Sequence, residues 1–108
     1  MLTRADLSGS SLLGASLRHA DLSEAKLDAA LLCFANLEGA DLRNSSLRNA
    51  CLCRAYLRSA QLGGADLRDA NLKEADLTNA AVFGSRYNEA TRWPPGFDPE
   101  ARGAIWAD

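Results

Sequence analysis

Leucine stands at every fifth position from Leu2 to Leu77, sixteen times without interruption. Two residues before most of these leucines is an alanine: Ala5, Ala15, Ala20, Ala25, Ala30, Ala35, Ala40, then Ala50 through Ala80 in steps of five. Ser10 and Ser45 are the exceptions in that column, and both are small. A period of five suits neither common element. On an α-helix each step rotates the side chain by roughly 140°, so the leucines would spiral around the axis. On a flat strand they would alternate between faces, leaving half in water. All sixteen point inward only if the chain turns steadily about a central axis, each pentapeptide forming one side of a coil. A unit of that kind buries its apolar side by stacking on its neighbours.

The outward positions choose between coil sizes. With a repeat of 20 residues, Arg18, Glu38 and Arg58 form a column of alternating charge, and Asp28 lies next to Arg48. With a repeat of 15, Arg43, Arg58 and Lys73 stack as like charges, which is unfavourable at neighbour distance. The expectation is therefore a four-sided coil. Asp or Asn directly before the leucine (Asp6, Asp21, Asn36, Asp41, Asp66, Asn71, Asp76) suits a turn, because these side chains bond nearby backbone groups. Gly9, Gly14, Gly39, Gly64 and Gly84 share the last position of their units, where a corner needs an unusual dihedral.

The units Ala40-Asp41-Leu42-Arg43-Asn44 and Ala65-Asp66-Leu67-Arg68-Asp69 resemble the A-(D/N)-L-x-x signature of pentapeptide-repeat proteins, and the resemblance extends over residues 2–84. It implies an all-β fold: a right-handed quadrilateral β-helix, a solenoid of about four 20-residue coils with a C-terminal cap. The central Leu and preceding Ala would point inward and the other three positions outward. The expected division is a repeat region over residues 1–82 and a capping segment over 83–108. Five of the seven aromatic residues fall in that second segment. Phe83, Tyr87, Trp93, Phe97 and Trp106 are the candidate capping residues, with Pro94, Pro95 and Pro99 preventing further strand growth. The stretch from Tyr87 to Asp98 resembles the closing segment of several cyanobacterial pentapeptide-repeat proteins.

Charge excludes little and suggests no polyanionic or membrane partner. Residues 1–40 carry 3 basic and 5 acidic side chains, residues 41–80 carry 6 and 5, and residues 81–108 carry 3 and 4. No third is polarised, so neither nucleic acid nor a membrane surface is expected as partner. No apolar run approaches the roughly 20 residues that span a bilayer, and the N-terminus lacks a signal-peptide pattern. Three cysteines in no framework spacing point to a reducing, cytoplasmic setting.

One side of the expected coil stands out. Around Leu12, Leu32, Leu52 and Leu72, the outward residues include Leu13, Leu31, Cys33, Phe34, Cys51 and Cys53, with Tyr56 just round a corner. These seven form a candidate interaction patch, because a contiguous exposed apolar surface marks a contact site where a lone leucine does not. Cys33 and Cys53 would lie one coil apart, within disulfide reach; free thiols are the expected state, and a fourth ligand for a metal site is not in sight. No cofactor is expected, and no Ser, His and acid trio or phosphate loop suggests catalysis. Leu2 is already in register, so the first coil has an uncapped end through which a homodimer or end-to-end association could form. The function expected is a non-enzymatic structural module that presents a rigid surface to a protein partner. The resemblance also implies an alternative: a DNA mimic acting on DNA gyrase or a topoisomerase.

Overall fold

A computed structural model describes residues 2–107, which form a right-handed quadrilateral β-helix followed by a closing segment. The backbone ladder sets the coil size directly. Parallel bridges link Asp6 to Lys26, Ser11 to Leu31, Ser16 to Asn36 and Asp21 to Asp41, and continue in steps of five to the pair Asp66 and Arg86, always 20 residues apart. Four pentapeptides therefore complete one turn. Within each unit the leucine carbonyl accepts from the N–H three residues on, as in Ala30 to Leu27 (3.0 Å) and Ala55 to Leu52 (3.1 Å). Between units the chain bonds to the next coil, as in Leu32 N to Cys51 O at 2.7 Å.

Each corner is a four-residue turn whose third residue has a positive φ, the type II geometry. That residue is the second after the leucine. It is glycine at positions such as Gly39 (φ 67°), but twelve non-glycine residues adopt the same conformation, among them Ala29 (φ 59°), Phe34 (φ 62°) and Asn44 (φ 60°). The left-handed region costs an L-residue free energy, so the turn is imposed at these corners by the ladder on either side. The Asp and Asn residues help. In all seven units named above, Oδ1 accepts the N–H two residues on, at 3.0–3.2 Å.

The two inward columns form the core. From Leu22 to Leu72 every central leucine is 0% exposed, and the alanines between them are equally dry. Alanine fits because the interior narrows toward the corner, and close packing leaves no room for more. Leu2, Leu7, Leu12 and Leu17 of the first coil are only partly buried, since only one coil covers them.

At the other end the repeat runs further than residue 82. Val82, Ser85 and Tyr87 continue the inward columns, all buried. The register then gains one residue: Asn71 bridges Arg92, 21 positions away. Thr91, buried at this step, donates its hydroxyl to the Leu67 carbonyl at 2.8 Å. The chain closes with two short parallel strands, β1 (Arg86–Tyr87) and β2 (Ile105–Trp106). Met1 and Asp108, the outer limits of the two expected segments, lie outside the described residues.

Of the closing segment's expected capping aromatics, Tyr87, Trp93 and Phe97 pack on the core, whereas Trp106, 52% exposed, does not cover it. Trp93 and Phe97 stack with centroids 5.0 Å apart and pack on the core. Tyr87 meets Trp93 edge-on at 5.8 Å and Trp106 at 5.5 Å. Arg102 fixes the segment by donating to the Ala80 carbonyl at 2.8 Å, with its guanidinium 5.1 Å from the Phe97 ring centroid. Phe83 does not cover the core: it is 79% exposed and lies outside, against the backbone of Gly103. It occupies the first position after the inward Val82, and that position faces outward all along the helix.

Candidate functional site

Alternation along each side of the coil places the residues before and after a leucine on the outer surface, two apart and parallel. On the side built on Leu12, Leu32, Leu52 and Leu72, the column before the leucine reads Ser11, Leu31, Cys51 and Asn71, joined by parallel bridges. The column after it reads Leu13, Cys33, Cys53 and Lys73. Six of the seven patch residues therefore share one flat face or its corner. Leu13 is 65% exposed, Leu31 49% and Phe34 50%. Tyr56, 51% exposed, stands on the adjoining side, in the column of Asn36 and Asp76.

The corner beside this face is ordered by charge. The Arg54 guanidinium lies 5.9 Å from the Phe34 ring centroid and its Nε donates to Glu74 at 2.8 Å. The result is a stack of aromatic ring, cation and carboxylate on three successive coils.

The cysteines differ from expectation. Cys33 and Cys51 are joined in a disulfide with Cα atoms 5.8 Å apart, and Cys53 is the free thiol. The expected vertical neighbour of Cys33 was Cys53. The diagonal partner is equally outward-facing and within the span of a disulfide. All three Sγ atoms lie within 4.8 Å of one another.

Elsewhere the outer surface is a mosaic of local ion pairs. Arg18 and Glu38 meet at 3.4 Å in the expected column, but Arg58 turns to Asp76 at 3.8 Å. Asp28 accepts the backbone N–H of Arg48, while the guanidinium reaches Asp69 at 3.5 Å. The two tightest pairs lie within single units, Arg43 with Asp41 and Arg68 with Asp66, each at 2.7 Å. Hydrogen bonds from Arg68 hold the Asp66 carboxyl below its ordinary range, and Arg43 does the same for Asp41. Hydrogen bonds from Ser8, Ser23 and Thr78 lower Asp6, Asp21 and Asp76.

No helix among the described residues is long and apolar enough to cross a membrane. A family model for pentapeptide repeats matches residues 2–32, 20–58 and 50–86. Among solved structures, a pentapeptide repeat protein from the cyanobacterium Nostoc is 36% identical, with a TM-score of 0.94, over 96% of this chain and 86% of that one. The protein Rfr23 from the cyanobacterium Cyanothece is 33% identical, with a TM-score of 0.83, over 83% of this chain and 61% of that one. A pentapeptide repeat protein from the Arabidopsis thaliana thylakoid lumen is 35% identical, with a TM-score of 0.55, over 82% and 58% of the two chains. No curated protein sequence matches the chain.

Proposed function

The chain belongs to the pentapeptide-repeat family, and from that premise we propose that it is a non-enzymatic interaction module whose flat cysteine-bearing face receives a protein partner. The observation that carries this reading is the half-exposed apolar group Leu13, Leu31 and Phe34 on one rigid side. A backbone already fixed by ladder hydrogen bonds has little freedom left to lose on binding, which lowers the cost of association. The partner in this reading presents an apolar, extended surface. The first coil is its second contact region in this reading, for another copy of the chain. The backbone N–H groups of Asp6, Ser11 and Ser16 have no backbone acceptor among the described residues, and unpaired strand groups are templates for pairing.

The test pairs light scattering with co-purification from the source cells. The reading predicts a partner retained by the wild type and by an Arg43→Glu control on another side. Leu31→Glu and Phe34→Glu should both lose it. A partner set unchanged by both face variants would overturn the proposal, and a strict monomer at high concentration would remove the self-association part. The compartment in this reading is the cytoplasm. Thiol trapping at lysis that finds Cys33 and Cys51 wholly oxidised would place the protein in an oxidising compartment instead.

DNA mimicry has less support. A duplex-like surface needs columns of uncompensated negative charge, whereas Glu24, Glu38, Asp41, Asp66, Asp69, Glu74 and Asp76 each lie 2.7–3.8 Å from an arginine.

A further inference from the structure

Cys33, Cys51 and Cys53 stand at three corners of a square of outward positions on two adjacent coils, with Leu31 at the fourth. The backbone under this square is pinned: Leu32 N–H donates to Cys51 O at 2.7 Å and Phe34 N–H to Cys53 O at 3.0 Å. Only the side chains are free to move. Their three sulfurs already lie within 4.8 Å of one another, and this converging ligand set contains no oxygen or nitrogen donor. A sulfur-only set selects soft cations over hard ones. Three thiolates bound to one ion at about 2.3 Å stand roughly 4 Å apart, a spacing within reach of rotation about the Cα–Cβ bonds.

We propose that the reduced cysteine trio binds a single soft, thiophilic cation of the Cu(I) class, and that the Cys33–Cys51 disulfide is the closed state of this site. With that bond in place Cys53 is the sole thiol donor of the three. A dithiol reductant opens the site. Two electrons pass to the disulfide, Cys33 and Cys51 become thiols, and the reductant leaves as its own disulfide. The cation then displaces three thiol protons, which pass to solvent, so uptake strengthens as pH rises. The resulting complex is anionic. Lys73, next in the column of Cys53, places positive charge beside it. Leu31, which has no donor atom, holds the fourth corner and keeps the site three-coordinate.

The whole protein, reduced and kept anaerobic, is titrated with Cu(I) against a chromophoric Cu(I) chelator. The expected result is uptake of one equivalent, with a sulfur-only, three-coordinate signature at the copper absorption edge. The neighbours that orient a metal ligand are worth roughly 10–100-fold in affinity, so Cys33→Ser or Cys51→Ser should weaken binding by at least about that. Serine already occupies this face at Ser11, so these variants should keep the thermal transition of the reduced wild type. The disulfide form should take up no copper, and Leu31→Cys should add tetrahedral Zn(II) binding by supplying a fourth thiolate. The proposal is overturned if reduced wild type holds Cu(I) no more tightly than the Cys33→Ser/Cys51→Ser double variant. Equal uptake by the oxidised protein would also overturn it.

Discussion

Truncating one leucine should cost very different amounts according to its coil. Leu47 lies in the second full layer of the core, 0% exposed, between Leu27 and Leu67 of the same side, both also 0% exposed. Leu47→Ala leaves a cavity that the ladder above and below prevents from closing. Such changes in a rigid core cost about 3–5 kcal/mol, which for a chain of this size lowers the melting temperature by roughly 12–20 °C. Leu12 has a covering coil on one side only and is partly buried, so Leu12→Ala should cost about half as much. Leu13 is the next residue in the chain but faces outward, 65% exposed. Leu13→Ala should stay within about 0.5 kcal/mol of wild type. Thermal and urea unfolding followed by circular dichroism measure all three. Equal losses for Leu13 and Leu47, or for Leu12 and Leu47, would refute the inward-column account.

Three further outcomes follow from particular residues. Ala29 is exposed and held at φ 59°; asparagine tolerates that region better, so Ala29→Asn should stabilise by up to about 1 kcal/mol in urea unfolding. Thr91→Val removes the hydroxyl bonded to the Leu67 carbonyl and to the Asn88 N–H, and should cost about 1–3 kcal/mol by the same assay. Because hydrogen bonds from Arg68 lower the folded pKa of Asp66 below its ordinary 3.8, its stabilising contribution is complete above that value. It disappears as pH falls through the folded pKa. Asp66→Asn should therefore flatten the fall in melting temperature between neutral and strongly acid pH, and an unchanged acid limb would count against the pair.

The core was legible because its environment repeats. Every inward leucine from Leu22 to Leu72 meets the same kind of neighbours, so one periodicity assigned them all, and the Arg18–Glu38 contact agrees with the 20-residue coil. Side-chain choices outside were not legible at that level. An arginine spans several outward positions, which is why Arg58 prefers Asp76 to Glu38 and Arg48 reaches Asp69. Column matching likewise put Cys53 above Cys33, although the diagonal to Cys51 is as short as a disulfide requires. Near the end, Ser85 and Tyr87 fill the alanine and leucine columns without being alanine or leucine, so the repeat outlasts its signature. The one-residue step before Arg92 leaves no periodic trace. Phe83 is different: its position after Val82 already assigns it outward, and its apolar character alone suggested a capping role.

Amide hydrogen exchange followed residue by residue tests the coil most directly. In each unit of the central coils the ladder and corner bonds engage four of five N–H groups, and the fifth is the residue after the leucine. Some of those are bonded to a side-chain carboxylate or amide, but Asp28, Cys33, Cys53, Arg58 and Gly63 find no N–H acceptor among the described residues. The account predicts rapid exchange at these five sites against slow exchange at Leu27, Leu32, Leu52, Leu57 and Leu62 beside them. Continuous protection over ten or more residues, as in a helix, or a two-residue alternation, would contradict it.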